Sequence, residues 1–179
     1  MNILIVSQYF YPENFRINDL ANELKNRGHK IVVLTGTPNY PNGKFFNGYG
    51  IFKKTKENYN GINIIRSPLI PRGSGSRTRL AFNYISFVFG AVFKSFGLLN
   101  SKIDIIFVFE PSPITVGLPA IFIKKIKKIP ICFWVLDLWP ESVVSAGNLK
   151  SKLIPNILDP LVKYIYKNCN KILVSSSGF

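Results

Sequence analysis

Asn2-Ile3-Leu4-Ile5-Val6 runs into Ser7-Gln8-Tyr9-Phe10-Tyr11-Pro12-Glu13-Asn14, and Ile17, Leu20, Ala21 and Leu24 then recur at i, i+3, i+4 and i+7 before Gly28. The apolar run is a buried strand, and the 3.6-residue repeat behind it is a helix with one face on a sheet. Asn14 is placed to cap that helix and Gly28 to close it. Together they form the first half of a βαβ unit, whose ligands collect at the carboxyl end of the strand. The loop at that end has no glycine, so it lacks the close backbone approach that a dinucleotide pyrophosphate needs. An NAD-dependent oxidoreductase is thereby disfavoured.

Outward from this unit the alternation continues. Apolar runs at 31–35, 62–65, 103–109, 129–135 and 172–175 read as strands, and helical patterns occupy 80–99, 114–127 and 154–167. Such alternation indicates an α/β fold, a doubly wound, mainly parallel sheet with Rossmann-like topology. The expected strand order is 3-2-1-4-5-6. Residues 36–60, rich in Asn, Pro, Gly and Tyr, break both periods and read as one long loop. Arg66 to Arg79, with four arginines among prolines and glycines, reads as a mobile basic loop.

The segment 80–99 is the most hydrophobic helix. Asn83, Ser86, Gly90, Lys94 and Gly97 share one narrow stripe, and apolar side chains cover most of the remaining circumference. Its uncharged run, residues 80 to 93, is shorter than the ~20 residues needed to cross a bilayer. A helix lying in the plane of a membrane fits, flanked by Arg77 and Arg79. The competing reading is a buried core helix.

The 179 residues suffice for one domain that buries roughly 70% of its unfolded surface. Lys and Arg number 23 against 9 Asp and Glu, a net charge of +14, and the mean hydropathy is +0.17. A basic, apolar chain fits an anionic lipid surface better than a nucleic acid, because no readout helix accompanies the dispersed charge. Two cysteines without metal-ligand spacing, and a start that passes straight into a strand, point to a reduced cytoplasmic setting. No metal site is expected. His29, the single histidine, lies in a helix-to-strand turn away from the ligand edge and reads as structural.

Gln8-Tyr9-Phe10-Tyr11-Pro12-Glu13-Asn14-Phe15-Arg16, Arg27-Gly28-His29, Thr35-Gly36-Thr37-Pro38-Asn39-Tyr40-Pro41-Asn42-Gly43 and Asp137-Leu138-Trp139-Pro140-Glu141-Ser142 carry a further signal. With these motifs the chain resembles the N-terminal domain of a family-4 glycosyltransferase of the GT-B fold, in the N-acetylfucosamine transferase branch of bacterial surface-polysaccharide loci. The resemblance implies that residues 1–179 form an acceptor-binding Rossmann-like domain, the nucleotide-sugar-binding C-terminal domain being absent. Members carry two glutamates eight positions apart in that second domain. Glu13, Glu23, Glu57, Glu110 and Glu141 include no such pair. The expected function is half of a retaining transferase that moves sugar from a nucleotide-sugar to a lipid-linked saccharide, for O-antigen or capsule. No cofactor is expected on this domain alone. Its expected partners are the lipid-linked acceptor, the anionic inner face of the cytoplasmic membrane and a chain or domain supplying the other half. The alternative is a noncatalytic module that binds glycan or a partner at the membrane.

Asp137, where the fifth strand meets its loop among apolar neighbours, is expected to be partly desolvated, raised in pKa, and suited to orienting an acceptor hydroxyl. Its alternative role is a helix-capping aspartate before Pro140. Glu110, before Pro111, is the second candidate catalytic carboxylate, or else a solvated loop acid. Neither is assigned a covalent role. Asn39 and Tyr40 are expected to bind sugar or to form a rigid turn, and Arg16 to meet an acceptor or donor phosphate or to form a surface salt bridge. Glu141 is expected to bind substrate. Arg72, Arg77 and Arg79 are expected at a membrane or phosphate.

Overall fold

Every apolar run becomes a strand of one sheet in the computed structural model, which describes residues 1–147 and 153–176. The strands are β1 (Asn2–Val6), β2 (Lys30–Gly36), β3 (Lys56–Tyr59), β4 (Ile62–Ser67), β5 (Ile105–Glu110), β6 (Ile131–Val135) and β7 (Lys171–Val174). Their order is β3-β4-β2-β1-β5-β6-β7. All neighbours are parallel except β3, which runs antiparallel to β4. The six expected strands therefore lie in the expected order, with one more at the edge. That seventh strand corrects the reading of 36–60 as loop throughout. It pairs Tyr59 with Ile62 across Asn60-Gly61, both at positive φ, the backbone a two-residue hairpin turn requires.

Strand pleat divides the core. Ile3 and Ile5 face α1 (Arg16–Asn26), which buries Ile17 and Ala21 against them, while Leu4 and Val6 face the other layer. That layer holds α2 (Arg77–Ser95), α3 (Gly117–Lys127) and α5 (Leu153–Lys167). Each fully buried Ile, Leu or Phe contributes about 1.5–3 kcal/mol. At the end of α1 the His29 N–H reaches Leu24 O and the Gly28 N–H reaches Lys25 O, with Gly28 at φ +85°, a glycine-closed helix end. His29 sits at the amino end of the sheet, its Nδ1 3.3 Å from the N-terminal amine.

Two local expectations are corrected, and one pair of alternatives is narrowed. Asn14 does not cap α1: the cap position is Phe15, without a side-chain bond, because Asn18 turns back to accept the Tyr11 N–H and donate to Glu13 O. Arg66 is not in a loop. It belongs to β4, is 1% exposed, and donates to Glu57 at 2.7 Å and to the carbonyls of Tyr11 and Gly36. The alternatives concern α2, which packs one side on the sheet and has its other side uncovered by the described residues. Asn83, Phe87, Gly90 and Ala91 face inward, whereas Phe82, Ile85, Phe89 and Phe93 point away, the last two 72% and 70% exposed. Small and polar residues form its inner stripe because the backbones meet there: a Cβ on Gly90 would lie 2.4 Å from Pro68 O and Ser67 Oγ.

Candidate functional site

Loops leaving β1, β2, β4, β5 and β6 gather along the carboxyl rim of the sheet. The bonds Tyr11-Pro12, Tyr40-Pro41, Ser112-Pro113 and Trp139-Pro140 in these loops are all cis. Glu13 ties two of the loops together. It is 2% exposed, and one carboxyl oxygen accepts the backbone N–H groups of Asn39 and Tyr40, both at 2.8 Å. Burial lifts its pKa to about 7 against the pull of these bonds. Asn39 is spent in the same scaffold, donating to Thr37 O and accepting the Arg72 N–H. It is 1% exposed, which leaves it a turn residue.

Tyr40, by contrast, is 38% exposed. Its ring packs beside Tyr9 and Phe15, and the Arg72 guanidinium lies 5.0 Å from its centroid while donating to the Tyr9 hydroxyl at 2.8 Å. Arg72 thus stands at the middle of the rim, a half-buried cation framed by two aromatic rings. Its charge reaches Tyr84, whose hydroxyl is hydrogen-bonded to Ser112. Ser112 holds φ at 130°, a conformation that residues with a side chain seldom adopt. The Trp139 indole N–H is shared between Ser112 Oγ at 3.3 Å and Asp137 Oδ2 at 3.0 Å.

Asp137 is half-buried at this rim, and α4 (Glu141–Gly147) begins four residues beyond it. Beneath it lies Glu110, the last residue of β5, fully buried rather than a solvated loop acid. Glu110 Oε2 accepts the Asp137 backbone N–H at 3.3 Å, and Oε1 has no hydrogen-bond partner among the described residues. Burial, reinforced by the Asp137 charge, raises Glu110 to about 9, so it holds a proton at neutral pH. The two carboxyls differ in place: Glu110 acts from below, and Asp137 is the one that meets the rim.

Tyr40, Arg72, Tyr84, Trp139 and Asp137 follow one another along the rim as one wall, with Glu110 buried beneath Asp137. Arg16 is exposed on the first turn of α1, and Glu141 is exposed at the start of α4. Arg77 and Arg79 lie on the first turn of α2. Sequence reasoning passed over Glu13, Tyr84 and Trp139 as functional positions. Trp139 stood within the quoted motif, two residues from Asp137. Tyr84 carried no signal, because one tyrosine in an apolar helix reads as core.

No protein-family model matches this chain, and no curated protein does. Solved structures do. The calicheamicin glycosyltransferase CalG4 superposes with a TM-score of 0.53 at 12% identity, over 92% of this chain. The fold is that of one half of a GT-B glycosyltransferase. This chain spans 42% of the length of CalG4. In open α/β sheets ligands bind outside the carboxyl ends of the strands, the edge where these rim residues stand.

Proposed function

We propose that this chain is the acceptor-binding half of a retaining, family-4 glycosyltransferase that moves sugar from a nucleotide-sugar to a lipid-linked saccharide. The setting is surface-polysaccharide assembly at the inner face of the cytoplasmic membrane, and the motifs resemble the N-acetylfucosamine transferase branch. One observation carries this reading: Asp137 is held at the carboxyl rim by the Trp139 indole, above the buried Glu110, on the rim that also carries Arg72 against Tyr40. Asp137 orients the acceptor hydroxyl and draws on its proton, Tyr40 offers a sugar-stacking face, and Arg72 meets a phosphate. The work is positioning and electrostatics. A second Rossmann-like half, in the same polypeptide or another, supplies the nucleotide-sugar.

The test is donor-dependent transfer to polyprenyl-diphosphate saccharides, with this chain alone and with a nucleotide-sugar-binding half supplied separately. Transfer that needs both halves and collapses in Asp137→Asn supports the proposal. Saccharide binding without turnover under every pairing overturns it in favour of a noncatalytic module.

A further inference from the structure

The outward face of α2 is a row of large apolar side chains left uncovered by the described residues. Phe82, Ile85, Phe89 and Phe93 recur at helical spacing on the side turned from the sheet, each more than half exposed. Beside them Ile51, Leu69 and Ile70 complete a groove of about 420 Å³ with almost wholly apolar walls. Phe52, 84% exposed, stands next to it. An apolar surface of this extent on a helix otherwise packed in a domain marks an interface.

Three features identify what covers it. The chain carries a net charge of +14, and the face is bordered by Arg79 at the start of α2 and Lys53 beside Phe52. This pattern of aromatic and aliphatic side chains with basic flanks matches a helix lying in a lipid headgroup layer. Length and hydropathy alone would also let Arg77–Leu98 span a bilayer. The packing opposes that: Gly90 is pressed on Pro68 and Ser67, and Asn83 bonds Ile70 O and Gln8, so α2 is bolted to the sheet. Finally, Ile70 lines the groove and Arg72 stands at the rim, two residues or at most about 7 Å of chain apart.

We infer that α2 docks in the plane of an anionic bilayer through Phe82, Ile85, Phe89 and Phe93, with the Ile51–Ile70 groove opening toward the hydrocarbon and Arg72 at headgroup level. This rests on the proposed function only for its purpose, the delivery of a lipid-linked acceptor to the rim. The docking itself is a separate physical claim.

Flotation with vesicles of equal parts phosphatidylcholine and phosphatidylglycerol tests it without any sugar donor. The wild type should float, and Phe89→Glu with Phe93→Glu should weaken partition about tenfold or more. Arg79→Glu and Lys53→Glu should each cost about fivefold at low salt and little at high salt. As both phenylalanines are exposed, near-ultraviolet circular dichroism should stay unchanged, and Phe89→Trp should add a fluorophore quenched by brominated lipid. Partition of the doubly substituted protein within about twofold of wild type would overturn the inference. So would a lipid-free dimer dispersed by the same substitutions, with no vesicle binding, which would make a second copy the occupant. Transfer to a detergent-dispersed acceptor should survive Phe89→Glu with Phe93→Glu. Its absence from the wild type even when a nucleotide-sugar-binding half is supplied, with flotation intact, would count against the sugar-transfer reading alone.

Discussion

Glu110 reaches up from the end of β5 to accept the backbone N–H of Asp137, and its other carboxyl oxygen is buried with no partner among the described residues. A proton held there couples stability to pH. Glu110 is raised from the ordinary 4.5 to about 9, so between those values the folded chain binds a proton that the unfolded chain has released. Stability therefore falls as pH rises through this window, by up to about 1.4 kcal/mol per unit, and levels off above it. Glu13, raised to about 7, adds to the slope only below that pH. Urea denaturation between pH 7 and 9 should show the decline in the wild type and its near-disappearance in Glu110→Gln. An unaltered slope would mean that Glu110 is not the group responsible.

Glu13 should be a structural keystone of the rim. Alanine leaves the N–H groups of Asn39 and Tyr40 without their acceptor in a buried place, at a cost of about 2–4 kcal/mol. Glutamine retains an acceptor oxygen and should cost about half as much. Chemical denaturation of both variants gives the comparison, and equal losses would refute the bracketing role.

The close approach of α2 to the Ser67-Pro68 segment can be measured with two glycines. Gly90→Ala forces a Cβ against Pro68 O and should destabilise by about 2–3 kcal/mol. Gly97→Ala meets nothing within 4 Å and should be neutral or slightly stabilising. Thermal unfolding of the pair decides it, and similar midpoints would be inconsistent with this packing.

In a reconstituted transfer assay Asp137→Asn should lower the rate about 10²–10⁴-fold with little change in stability. Trp139→Phe keeps the ring and removes the N–H that steadies Asp137, so it should cost less, about tenfold, mainly in kcat. A Trp139→Phe enzyme as slow as Asp137→Asn would point to a larger role for the indole.

Breaking the buried Arg66–Glu57 pair from one side should cost about 3–5 kcal/mol, because the surviving charge is left in the interior. Replacing both, Arg66→Met with Glu57→Leu, should recover a substantial part. If the double substitution is as damaging as the sum of its parts, the pair is not the unit that matters.

The parallel sheet was legible because runs such as Ile3-Leu4-Ile5-Val6 and Ile131 to Val135 are apolar at consecutive positions, the mark of strands covered on both faces. β3 was not, since Lys56-Glu57-Asn58-Tyr59 has no apolar alternation, yet Asn60-Gly61 behind it was a hairpin signal in plain view. Periodicity located the two sides of α2 without saying which one met the sheet. That was decided by backbone proximity at Gly90, to which a hydrophobicity pattern is blind. At the rim, Asp137 and Glu110 could be placed by their strands. Glu13 could not, because an acid in a polar loop looks solvated until the N–H groups of a loop 26 residues away close over it.

β3 also gives the sheet a direction. With Lys56 and Asn58 exposed along a short antiparallel strand, that border discourages an incoming strand. β7, carrying exposed Ile172 and Val174, is the border that welcomes one. A strand added to this sheet would therefore pair at β7, at the edge opposite the β3–β4 hairpin, and would leave the spacing between that hairpin and the rim unchanged.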